Sequence, residues 1–132
     1  MKILQKKVGS DIEILSTERK YICDCISDHI SDKVFAQRIK IDDNIILVCD
    51  EEGIFKNLPA NFYLPFFYPE SIRVTPIRGD VLFIKQAKNY NMGEIYDYEV
   101  EDLTEEDIFK IEAILHENIQ KKLKNICEKQ KK

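Results

Sequence analysis

Two histidines, His29 and His116, and four cysteines, Cys23, Cys25, Cys49 and Cys127, are the residues of this 132-residue chain best suited to nucleophilic or metal chemistry. Cys25 and His29 stand four apart, so on a helix they share a face and could begin a zinc site. Cys23 cannot join them, because a two-residue helical step turns the side chain by about 200°. No CxxC pair completes a ligand set, and the better reading is that Cys25 and His29 line a buried stripe, as reduced cysteine often does. Neither histidine sits in a recognisable Ser–His or Cys–His arrangement. The four glycines, Gly9, Gly53, Gly79 and Gly93, stand singly, so no glycine-rich phosphate or dinucleotide loop exists. A Gly-x-Ser-x-Gly elbow and a His-Glu-x-x-His helix are also missing. No catalytic residue, metal or cofactor is assigned, and the chain reads as non-enzymatic.

Binding chemistry is more visible. In Asn61–Pro69 five of nine residues are aromatic, against 13 in the whole chain, and Pro65 and Pro69 stiffen the backbone between them. Aromatic side chains held at low entropy cost suit a binding surface, which selects Tyr63, Phe67 and Tyr68. The competing reading tucks Phe62, Leu64 and Phe66 under a sheet as a core plug. Arg73 and Arg78 follow closely enough to suggest a phosphate clamp. From Glu94 to Glu112 nine acids stand against Lys110 alone, whereas six lysines lie between Lys121 and Lys132, so the molecule is bipolar. A solvated edge and a dipole-matched helix start account for the acids better than DNA mimicry does.

These residues must be positioned by a small set of elements. Residues 2–8 and 11–15 read as extended segments joined by the turn Gly9-Ser10-Asp11. Hydroxyls at Ser16 and Thr17 are N-cap candidates for a helix ending near 31–32, with Ile22, Cys25, Ile26, His29 and Ile30 on one face. Residues 34–41 and 45–50 form a hairpin across Asp42-Asp43-Asn44. At Glu51-Glu52-Gly53 the glycine is placed for a positive φ, and 54–56 are expected to extend the meander. Residues 57–76, with Pro59, Pro65 and Pro69 and closed by Pro76, read as a Pro- and aromatic-rich loop. Val81–Ile84 is a buried strand and 94–100 a further one. Thr104 caps a long amphipathic helix over 104–128, whose stripe is Ile108, Ile111, Leu115, Ile119, Leu123 and Ile126. That stripe is longer than a small sheet can cover, so Leu123 and Ile126 are expected to bury against a second copy or a partner.

Composition bounds the class: 44% hydrophobic, 33% charged and a net charge of −4 describe one globular domain over 1–132. The acidic balance argues against direct nucleic-acid binding, and no apolar run is long enough to span a membrane or serve as a signal peptide. A cytoplasmic location is expected. The fold class is α+β, a small mainly antiparallel sheet packed against one short helix and one long C-terminal helix.

The succession Ile45–Cys49, Asp50-Glu51-Glu52-Gly53, Lys56-Asn57-Leu58-Pro59-Ala60-Asn61, Gly79–Ile84 and Asp102-Leu103-Thr104-Glu105-Glu106-Asp107-Ile108 resembles an uncharacterised family. Its members are small proteins of phages, prophages and conjugative elements, and the resemblance covers roughly residues 34–112. Lys33-Val34-Phe35 stands where that family has a Gly pair, and Phe62 where it has a basic residue. The resemblance implies a mobile-element setting and no particular reaction. The leading expectation is an accessory protein that binds a host component, as in counter-defence. The alternatives are a small-molecule or nucleotide-binding protein or atypical hydrolase, and a structural homodimer.

Overall fold

The computed structural model describes residues 1–30, 36–54, 56–87 and 98–130. Their elements are β1 (Lys2–Lys6), β2 (Ile12–Ser16), α1 (Ile22–His29), β3 (Ala36–Lys40), β4 (Ile45–Asp50), β5 (Ala60–Tyr68), β6 (Ser71–Arg78), β7 (Val81–Gln86), β8 (Val100–Glu101), α2 (Glu105–Leu115) and α3 (Glu117–Gln130). The main sheet runs β2-β1-β7-β4-β3, every pair antiparallel, with β8 continuing the β1 edge of β7 at Lys85 and Gln86. The class is α+β.

The apolar runs Ile45–Cys49 and Val81–Ile84 do not alternate with polar residues because both faces of their strands are covered. On one face Ile46, Val48, Leu82 and Ile84 meet Ile22, Cys25 and Ile26 of α1. On the other, Ile45, Leu47, Val81 and Phe83 meet Phe62, Leu64 and Ile77 of the β5–β6 hairpin and Ile111 of α2. Phe62 and Phe83 stack with centroids 5.9 Å apart. Each such side chain contributes about 1.5–3 kcal/mol relative to exposure, which makes β4 and β7 the anchor of the fold.

Several expectations are corrected. The span 57–76 is not a loop: β5 and β6 form a hairpin across Pro69-Glu70. The prolines are tolerated because of register. Tyr63 gives both backbone groups to Gln120, and Val74 gives both to Gln130, so these two residues point out of the β5–β6 ladder. Pro76 is opposite Tyr63 and Pro65 opposite Val74, so both proline nitrogens also face outward, where no N–H is needed.

The C-terminal helix breaks at His116, whose ψ of 135° leaves the helical region. His116 Nδ1 then accepts from Asn118 N at 3.2 Å and starts α3. Thr104 does cap α2, in a reciprocal box with Asp107. The first helix starts later than expected, after Tyr21 rather than at Ser16 or Thr17, and no side chain caps it. Thr17 instead accepts from Arg19 N through its hydroxyl. Residues 51–54, 56 and 57 are turns, not a strand, and Phe55 lies outside the described residues. Gly53 does not take a positive φ; Asn57 does, at 56°. Gly53 packs tightly instead, since a Cβ there would crowd Arg78 Cβ at 3.0 Å. Of the strand expected over 94–100 only its end is described; 94–97 lie outside the described residues, as do 34 and 35 of the expected β3 segment.

Candidate functional site

The hairpin projects from a braced base. Helix α3 lies across β5 and β6, with Leu123 and Cys127 packed on Val74 and Tyr63. Beyond that contact the tip is bare: Phe67 is 75% exposed, Tyr68 58% and Ile72 45%. Phe67 and Ile72 are cross-strand partners, so they stand side by side on one face. Of the three aromatics selected from sequence, Phe67 and Tyr68 are therefore at the surface, while Tyr63 is half-buried against α3.

Beside the tip runs an apolar groove of about 330 Å³ between β3, β5 and the two C-terminal helices. Its walls include Ile39, Ile41, Pro65, Phe67, Ile114 and Ile119, and its one charged lining residue is Lys40. A second hollow of about 400 Å³ shares Ile41 and Ile114 with it and reaches Phe109, which is 71% exposed. In that hollow Lys110 pairs with Asp42 at 3.0 Å, and this pairing raises the lysine and lowers the carboxylate from their ordinary pKa values.

Leu123 does not await a second copy: it is 8% exposed, covered within the chain by the hairpin. The break at His116 is the physical reason. It re-aims α3 so that Leu123 and Cys127 face inward and Ile119 and Ile126, expected on the same buried stripe, lie 43% and 36% exposed.

Arg73 and Arg78 are not brought together. They stand five residues apart on β6, about 16 Å along the strand. Arg73 is exposed near the tip, while Arg78 Nη1 donates to Leu58 O at 3.0 Å and its Nε is buried without a partner. Arg78 is thus part of a junction where the motifs behind the family resemblance meet. Leu58 N donates to Gly53 O, Gly79 N to Pro59 O, and Asn61 Nδ2 to both Lys6 O and Gly79 O. Gly79 takes a φ of 75°, and a Cβ on it would stand 2.9 Å from Leu58 Cδ1. The Glu-Glu-Gly turn, the Leu-Pro-x-Asn segment and the glycine before β7 are each other's packing partners.

A cleft of about 490 Å³ opens beside this junction, with His29, Asp50, Lys56 and Asp80 on its walls. Its carboxylates serve the fold: Asp80 accepts from Val8 N at 2.9 Å, and Asp50 binds Lys56 at 2.7 Å and Glu52 N at 2.9 Å. Cys25 does not face it. That thiol is fully buried, 3.7 Å from the Thr17 hydroxyl, and burial raises its pKa. Burial, reinforced by the charges of Asp50 and Glu51, pushes the Cys49 thiol up to about 11, so neither sulfur is a ready thiolate. Among the described residues no group of three or more Cys, His, Asp or Glu side chains could hold a metal ion. The acidic stretch is partly absorbed by the fold, with Asp102 accepting from Lys2 N at 2.6 Å and Asp107 held by Lys85.

Sequence reasoning missed Ile72, Ile119 and Phe109. Ile72 was within reach, because a two-residue turn at Pro69-Glu70 places it opposite Phe67. Ile119 was not, because its exposure follows from the break at His116. Among the described residues, no helix is long and apolar enough to cross a membrane. Comparison with known proteins finds no matching family model, no similar curated protein and no similar solved structure.

Proposed function

We propose that this chain is a non-enzymatic accessory protein of a phage or mobile element that binds a host protein, with the β5–β6 tip as its docking element. One observation carries the reading: Phe67 and Ile72 are exposed side by side on one face of a hairpin whose strands are clamped by α3, with Tyr68 exposed on the other face. Exposed aromatic and apolar side chains at the end of a rigid support are poor design for an idle surface and good design for an anchor. The clamp matters because it limits the conformational entropy lost on docking, and aromatic side chains are the residue type most enriched among binding hot spots. The absence of assigned catalytic machinery in the sequence and the commitment of the junction carboxylates to the fold favour binding over turnover.

The test is a triple variant, Phe67→Ser, Tyr68→Ser and Ile72→Ser, compared with the native chain as bait in host lysate. The native bait should retain a host protein that the variant does not, with little change in melting temperature. A variant that still captures the same protein overturns the reading.

A further inference from the structure

We infer that a second copy of this chain occupies the apolar groove, each copy seating its hairpin tip in the groove of the other. The inference rests on reading this face as a protein-docking surface and names the first partner that fits it. Three observations point to a second copy.

The first is shape. Phe67 belongs both to the projecting tip and to the groove wall, so knob and hole lie next to each other on one face. When such features pair reciprocally about a two-fold axis, the interface closes at two copies instead of growing into a filament. A groove of about 330 Å³ has room for the large side chains that a tip brings.

The second is charge. The groove lining carries no carboxylate and one cation, Lys40. Lys122 lies three residues after Ile119 and four before Ile126, on the same side of α3, and is exposed. The hairpin from 60 to 78 has a single acid, Glu70, at the turn itself and exposed. Arg73, the other charge near the tip, points to the opposite face from Ile72, so a tip entering the groove by its Phe67 and Ile72 face brings Glu70 towards Lys40 and Lys122, which sets the orientation of the two copies.

The third is area. On the groove side Phe67, Ile72, Ile119, Ile126 and Phe109 are all at least 36% exposed. Together they offer on the order of 500 Å² of accessible surface, more than half of the roughly 800 Å² that each partner buries in a standard interface.

Light scattering on a sizing column, from low to high micromolar loading, tests this. The native chain should move with concentration towards twice its 15.6 kDa mass. Phe67→Asp and Ile119→Asp should each hold it at the single-chain mass, with melting temperatures near native because both positions are exposed. Glu70→Lys, confined to the turn, should weaken association about tenfold. The pair Lys40→Glu and Lys122→Glu should weaken it similarly, and combining all three changes should restore it. A native chain that stays at 15.6 kDa at every concentration overturns the inference, as does a dimer unaffected by Phe67→Asp and Ile119→Asp. If the native chain is monomeric but the tip triple variant still loses its host protein, the second copy fails and the docking reading stands. If the dimer forms as described but host capture ignores the tip, the docking reading of the host partner fails and the second copy stands.

Discussion

Gln120 of α3 holds both backbone groups of Tyr63 in β5: its Oε1 accepts from Tyr63 N at 2.7 Å and its Nε2 donates to Tyr63 O at 3.1 Å. Ten residues on, Gln130 does the same to Val74 of β6, at 2.8 and 3.0 Å. A two-stranded hairpin has two open edges, and here a side-chain amide stands in for the missing strand on each. The amide suits this because it offers one donor and one acceptor at the spacing of a peptide group. Gln120 Nε2 also reaches Ile114 O, a carbonyl left over where α2 ends.

Gln120→Leu should therefore cost about 1–3 kcal/mol, since the half-buried Tyr63 amide and carbonyl lose their partners together. Gln130→Leu should cost a similar amount. Urea denaturation followed by circular dichroism checks both values. Limited proteolysis should show α3 cut sooner in either variant than in the native chain, because the clamps hold it to the hairpin.

Two glycines with nearly the same φ separate backbone strain from packing. Gly9 (φ 77°) has nothing within 4 Å of an added Cβ, whereas Gly79 (φ 75°) would place that atom 2.9 Å from Leu58 Cδ1. Gly9→Ala should cost about 1 kcal/mol, the left-handed conformation alone. Gly79→Ala should cost about 3 kcal/mol, because overpacking at the motif junction adds to it. Equal losses in the two variants, measured by thermal unfolding, would refute the packing role assigned to Gly79.

Asp107 links pH to stability. Burial alone pushes its carboxyl up, but the Thr104 N–H, the Lys85 ammonium at 3.0 Å and the Thr104 hydroxyl together outweigh this and hold it below the ordinary 3.8. The folded state thus favours the ionised form. Its stabilising contribution is complete above 3.8 and fades as pH falls below that value towards the folded-state pKa. Asp107→Asn, which removes the charge that Lys85 pairs with, should cost about 2 kcal/mol at neutral pH. The gap between variant and native urea midpoints should close well below 3.8. A gap independent of pH would mean that the carboxylate charge contributes nothing.

The amino-acid sequence by itself determined the elements whose periodicity is local. The Ile22, Cys25 and Ile26 stripe of α1, the runs Ile45–Cys49 and Val81–Ile84, and the Thr104 cap all follow from side-chain spacing and backbone chemistry within a few residues. The α+β class follows from them. What only the tertiary structure decided depends on partners distant in the chain. Pro65 and Pro76 look like strand breakers until Gln120 and Gln130, some 55 residues away, show that their nitrogens face out of the ladder. Leu123 and Ile119 look like one stripe until His116 turns the helix and the hairpin covers only the former. The exposure of Phe67, Tyr68 and Ile72 has the same origin: composition sets how many apolar side chains the chain carries, but where α3 ends its cover decides which of them meet solvent.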